Sequence, residues 1–163
     1  QGLSVTPIQM IMAASAIANN GKMVQPHLLY ATVENGIQQN KHYDVVGAPI
    51  SPQTAQTMNE MLATSLENEA SLSIVPNYRI AGKTGTAQIP IFGGYDPSLT
   101  NASFIGWGPV DDPKFMVYIW LEKPKSSTWS SEVTAPVFKE VAEKLIVLLG
   151  IPPDQFRLQL AGQ

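Results

Sequence analysis

Apolar positions in the first twenty residues recur at helical spacing. Ile8, Ile11, Met12, Ala16 and Ile17 fall on one side, and small Ala13, Ala14 and Ala18 would let a neighbour approach closely. Thr6 offers a capping hydroxyl, Pro7 sits where a missing N–H costs nothing, and Gly21 after Asn19-Asn20 supplies a left-handed stop, so a core helix is predicted between them. Residues 28–34 and 37–43 flank Asn35-Gly36, a dipeptide that readily takes positive φ at both central turn positions, which predicts a hairpin. Its second arm, Ile37-Gln38-Gln39-Asn40-Lys41, is too polar for a central strand and reads as surface ribbon. Ser51-Pro52 opens a second helix through Ala55, Met58, Met61, Leu62 and Leu66, ending near Glu67-Asn68.

From Arg79 the period changes to two. Strands are predicted over 79–89, 101–109 and 114–122. In the last, Phe115, Val117, Ile119 and Leu121 share one face and Met116, Tyr118 and Trp120 the other, which predicts a buried central position. Val110-Asp111-Asp112-Pro113 carries turn chemistry and makes the last two strands antiparallel neighbours. Residues 90–100, with Gly93-Gly94 and Asp96-Pro97, read as a Gly/Pro-rich loop, a mobile flap beside a site. A final helix starts close to Pro136 and continues through Val137, Phe138, Val141, Leu145, Leu148 and Leu149 to Gly150. The expected class is α+β: an antiparallel β-sheet with flanking helices, the terminal helix on one face and the two earlier helices on the other. One domain is expected over residues 1–153, with 154–163 as a frayed tail after Pro152-Pro153.

Composition narrows the function. A chain of 163 residues with 44% hydrophobic content can bury one ordinary core, while 14% charged residues and a formal net charge of −3 give no field to hold nucleic acid or anionic lipid. The absence of cysteine removes disulfides, thiol catalysis and thiolate-bound metals. No run of about 18 apolar residues and no basic leader is encoded, so neither a membrane span nor a signal peptide is expected here. His27 and His42 lack metal-ligand spacing and read as surface residues, Asp111-Asp112 reads as a turn, and no cofactor or metal is expected. Trp107, Trp120 and Trp129 read as core or loop-packing residues, Trp129 also as a candidate border of a substrate groove.

The chemistry concentrates in Arg79-Ile80-Ala81-Gly82-Lys83-Thr84-Gly85-Thr86-Ala87-Gln88. A strand selected for stability alone would be β-branched or aromatic throughout. Here Gly82 and Gly85 thin it around a lysine and a threonine, which points to close approach by a ligand or another backbone. On an edge strand Gly85 would let an extended peptide lie alongside, with Thr84 and Thr86 facing one way and Lys83 and Gly85 the other.

Lys83-Thr84-Gly85 in this setting resembles the third active-site motif of class B penicillin-binding proteins. It is followed by Ser103-Phe104-Ile105-Gly106-Trp107-Gly108-Pro109 and Asp112-Pro113-Lys114-Phe115. Gln1 to Met10 resembles the family's entry into a helix after its second motif, and Ala135-Pro136-Val137-Phe138 with Ile151-Pro152-Pro153 resembles its last helix and exit. The resemblance implies the C-terminal portion of the serine β-lactamase and penicillin-binding transpeptidase fold. It also implies acyl transfer, in which a serine attacks the D-Ala-D-Ala carbonyl of a peptidoglycan stem peptide, and β-lactams as substrate mimics. Residue by residue, Lys83 would add positive charge near the nucleophile, and Thr84 and Thr86 would hold the terminal carboxylate. The Thr86 N–H would form half of an oxyanion hole, Gly85 would admit the peptide, and Gln88 would contact substrate further along.

No serine has a lysine three positions later, and neither Ser-x-Asn nor Tyr-x-Asn occurs. The family's first two motifs lie upstream of the segment matched here, so the chain is expected to be an inactive C-terminal piece whose partner is the upstream half of the domain. Exposed apolar surface that could drive homodimerisation is expected where that half should pack. The implied location is the extracytoplasmic face of the bacterial cell membrane. A β-lactamase or β-lactam-sensor domain of the same fold, or a noncatalytic peptide-binding or scaffold module, stays open as an alternative.

Overall fold

The computed structural model describes residues 3–69 and 71–161; Gln1 and Gly2 of the opening match lie outside the described residues. Helix α1 (Pro7–Ala18) begins in a capping box: Thr6 Oγ1 accepts from Gln9 N–H and Gln9 Oε1 accepts from Thr6 N–H. Asn20 and Gly21 both take positive φ after it, as the stop signal requires. A pair absent from the sequence reading follows: β1 (Met23–Val24) lies antiparallel to β4 (Val45–Gly47). Between them the hairpin of β2 (Ala31–Glu34) and β3 (Ile37–Asn40) turns on Asn35 and Gly36 at φ 52° and 77°. Helix α2 (Pro52–Glu69) opens with Ser51 Oγ accepting from Thr54 N–H at 3.1 Å.

The central sheet is β5 (Ala81–Ile91), β6 (Gly94–Gly108) and β7 (Phe115–Glu122), antiparallel in that order. Register puts Thr84, Thr86 and Gln88 of β5 on the face of Phe104 and Ile119, and Lys83, Gly85 and Ala87 on the face of Trp107 and Tyr118. The first face packs on α4 (Ala135–Leu148), where the Phe104 and Phe138 rings lie 4.5 Å apart in a core with Ile80, Ala142 and Ile146. The second packs on α1 and α2, where Trp107 and Ala81 meet Ala14 and Ala63. Asn59 ties the layers together: it accepts from Trp107 Nε1 at 2.7 Å and donates to Ile17 O at 3.1 Å.

Four expectations need correction. First, β7 pairs with β6 alone among the described residues, which leaves its other side without a strand neighbour there. Its two apolar faces pack against helices above and below, α4 and α1. Second, residues 90–100 are no open flap. The β5–β6 hairpin continues to a turn at Phe92-Gly93, and Asp96–Leu99 bulge out between the pairs Gln88↔Thr100 and Pro90↔Tyr95, so both prolines escape the ladder's demand for an N–H.

Third, the 154–163 tail is helical over α5 (Asp154–Ala161), and residues 162–163 lie outside the described residues. Asp154 explains it, because its carboxylate accepts from Arg79 N–H at 2.6 Å and from Arg157, which also reaches Asp111 at 2.8 Å. Fourth, the Ser126–Ser131 loop ends in a helical turn, α3 (Ser130–Val133), and neither Trp120 nor Trp129 is a core residue, at 49% and 63% exposure.

The candidate active-site strand

Edge position defines the candidate site. Strand β5 pairs with β6 on one side only, and among the described residues no strand covers the other. Its start is anchored by Arg79, whose guanidinium binds Glu60 at 2.6 Å and Glu67 at 3.0 Å on α2. Hydrogen bonds to Glu60 and then Glu67 hold Arg79 above its ordinary value. The glycines serve the sheet itself. A Cβ on Gly82 would stand 2.6 Å from Ile105 O, and one on Gly85 2.7 Å from Ser103 Oγ, so β6 crowds both positions from within.

The predicted site residues are all on this strand but are not equivalent. Lys83 is exposed, has no acidic partner among the described residues, and brings Nζ to 3.4 Å from Thr84 Oγ1. Thr84 is half-buried. The Gly85 carbonyl accepts from Ser103 Oγ at 3.2 Å and from Ser130 Oγ. Since a trans peptide points its C=O and N–H in opposite directions, holding Gly85 O on the β6 side turns the Thr86 N–H toward the free edge. The exposed Thr86 puts its hydroxyl 2.7 Å from Ser130 Oγ. Gln88 is half-buried one step further along the same face.

Ser130 is the residue that sequence reasoning missed. It is 1% exposed and sits 44 positions from Thr86, so no local spacing could have linked them; the only signal was a run of hydroxyls before Pro136. Beside the strand, on the Lys83 and Gly85 face, a hollow of about 410 Å³ is lined by Val5, Met10, Ala87, Ser103, Tyr118 and Trp120. Another of about 370 Å³, between Leu66, Tyr78, Arg79 and Asp154, lies before the strand begins and includes none of the predicted site residues. Among the described residues no three His, Asp or Glu side chains gather in a way that could hold a metal ion.

A cation, a free hydroxyl and an outward amide on one strand edge suit an acyl-transfer cleft, and comparison with known proteins decides the family. The model of the penicillin-binding protein transpeptidase domain matches residues 1–143. The chain belongs to this family. Stage V sporulation protein D of Bacillus subtilis is 29% identical over 167 residues, covering 98% of this chain and 25% of that protein. Penicillin-binding protein PbpB of Mycobacterium tuberculosis is 33% identical over 170 residues, covering 94% and 25%.

Among solved structures, penicillin-binding protein 3 of Mycobacterium tuberculosis in complex with ampicillin superposes with a TM-score of 0.79 at 33% identity, over 94% of this chain and 37% of that one. The apo transpeptidase domain of Burkholderia pseudomallei penicillin-binding protein 3 gives 0.77 at 29%, over 94% and 45%. The class B resemblance and the α+β penicillin-binding transpeptidase fold are thereby borne out. The chain spans about a quarter of the length of these curated relatives.

Proposed function

We propose that this chain is the substrate-gripping C-terminal part of a peptidoglycan D,D-transpeptidase, with the nucleophilic serine and the middle motif supplied by the upstream half of the domain. The observation that carries this reading is Lys83, exposed on the open edge of β5 beside Thr84 and without an acidic partner among the described residues. A stem peptide ending in D-Ala-D-Ala would lie along β5 past Gly85. Its terminal carboxylate would take charge-assisted hydrogen bonds from the Lys83, Thr84 and Thr86 end, and Gln88 would contact it further along. The Thr86 N–H, aimed at the free edge, would stabilise the oxyanion as the upstream serine attacks and D-Ala leaves. An acceptor amine then takes the acyl group; β-lactams enter the same cleft and stall after acylation.

Exposed Leu3, Val5, Ile8 and Trp120 fit a surface covered by the upstream half, and in its absence the isolated chain would pair with itself. No helix among the described residues is long and apolar enough to cross a membrane. The reading places the protein at the extracytoplasmic face of the cell membrane, tethered by a segment outside these residues.

Labelling with a fluorescent penicillin tests this. The 163-residue chain alone should take no covalent label, and adding the half of the domain encoded upstream should restore labelling that unlabelled ampicillin competes away. Covalent label on the chain alone, or none with both halves present and folded, would remove the proposal.

A further inference from the structure

Two dipeptides of this chain are alike in sequence and in backbone shape but not in surroundings. Asparagine is followed by glycine only at Asn20-Gly21 and Asn35-Gly36. Both pairs are left-handed, with φ of 51° and 85° in the first and 52° and 77° in the second. An asparagine before glycine is open to attack by its own chain, because no Cβ keeps the glycine amide nitrogen from the side-chain carbonyl carbon. Closing that ring requires the peptide unit between the two residues to rotate, so whatever holds the glycine N–H opposes the reaction.

At Asn20 the fold holds it. Gly21 N–H donates to Ala16 O at 2.7 Å in the turn that ends α1. Gly21 is buried, and a Cβ placed on it would run into the Ile50 carbonyl oxygen, with the Ser51 backbone close behind. At Asn35 the glycine is free to turn. Gly36 N–H has no backbone acceptor among the described residues, both residues are exposed, and nothing lies within 4 Å of a Cβ built on Gly36. The first ladder pair to yield is Glu34↔Ile37, and β2 and β3 contact each other rather than the other elements, so the tip opens without disturbing either core.

We propose that Asn35 is a site of spontaneous deamidation and that Asn20 is protected from it by the end of α1. The Gly36 nitrogen forms a bond to Asn35 Cγ, the bond from Cγ to the side-chain nitrogen breaks, and ammonia leaves with the proton that Gly36 N–H gives up. Water then opens the succinimide at either carbonyl, leaving aspartate or isoaspartate. Each product puts a carboxylate beside Glu34. Isoaspartate also lengthens the backbone by one carbon, which a two-residue turn matched to the strand twist cannot absorb, so the ribbon unpairs while the central sheet stays intact. The inference is independent of the acyl-transfer reading of β5.

The test incubates the full-length gene product, folded, in mildly alkaline buffer beside a second sample in urea, and follows both asparagines by peptide mapping with mass spectrometry. In the folded protein Asn35 should convert to aspartate and isoaspartate at least about tenfold faster than Asn20, the protection expected where reaction waits on local opening. In urea the two rates should agree within about twofold, since the fold no longer distinguishes the sites. Amide exchange over residues 31–40 should rise in the converted fraction and stay unchanged in the central sheet. Asn35→Gln should remove the acidic form that isoelectric focusing resolves in aged wild type.

Equal rates at Asn20 and Asn35 in the folded protein overturn the proposal, as does an Asn35 that converts in urea but not when folded. An acidic form that persists undiminished in Asn35→Gln overturns it as well. Should Asn35→Gln disturb the ribbon, the comparison of the two asparagines within the wild type needs no variant and decides alone.

Discussion

Replacing Asn59 by alanine should loosen the sheet from both helices on its inner face. Asn59 is 8% exposed, accepts from the buried Trp107 indole N–H at 2.7 Å and donates to Ile17 O near the end of α1 at 3.1 Å. Truncation orphans both groups. The indole N–H has nowhere to turn in a cluster of Ala14, Ala63, Ala81 and Val110, which sets that loss at about 1–3 kcal/mol, and the less buried carbonyl adds a smaller amount. Asn59→Ala should therefore cost about 2–3 kcal/mol, a large share of the roughly 5–15 kcal/mol that holds a domain together. For a chain of this size that corresponds to a drop in Tm of about 5–10 °C.

Urea unfolding of the wild type, Asn59→Ala, Trp107→Phe and the double variant measures it. Trp107→Phe strands the Asn59 carbonyl oxygen, so the two substitutions should couple, with the double variant less destabilised than the sum by about 1 kcal/mol or more. A cost below about 0.5 kcal/mol for Asn59→Ala, or additivity within about 0.3 kcal/mol, would show that the bridge does not hold the layers. The consequence reaches the candidate site, because Trp107 faces Ala81 across the ladder two residues before Lys83.

Three further outcomes can be checked on the same chain. Gly82→Ala should destabilise by about 1–3 kcal/mol in urea unfolding, since its Cβ would stand 2.6 Å from the Ile105 carbonyl oxygen, a backbone atom that cannot swing aside. Arg157→Ala should selectively melt α5, seen as faster amide exchange over 154–161, because it removes the bonds to Asp111 and Asp154 from a side chain only 12% exposed. Hydrogen bonds from the Ser98 hydroxyl and N–H hold the Asp96 carboxyl below the usual 3.8; a depressed native value stabilises the bulge above that pH and is lost as pH falls through it. The Ser98 amide shift should hence follow a transition whose midpoint lies below 3.8, with Asp96→Asn abolishing it.

Local signals that the chain carries within a few residues were legible in the sequence. Thr6-Pro7, Asn35-Gly36 and Ser51-Pro52 each specify φ values or a cap with their own side chains, and the structure turns where they say. Period-two alternation likewise assigned the β7 residues to the right faces, and the setting of Lys83-Thr84-Gly85 identified the family. Alternation reports what lies above and below a strand and is silent about what lies beside it, so it could not say that β7 has β6 as its one strand neighbour among the described residues.

Tertiary structure alone decided the rest. Asp154 could not be seen to reach Arg79 across 75 positions, so a docked helix read as a loose tail. Pro90 and Pro97 read as loop residues until an edge strand and a bulge made their missing N–H groups harmless. The neighbour of Thr86 was likewise invisible along the chain, because Ser130, with its Oγ 2.7 Å from the Thr86 hydroxyl, comes beside it only when α3 folds against the sheet.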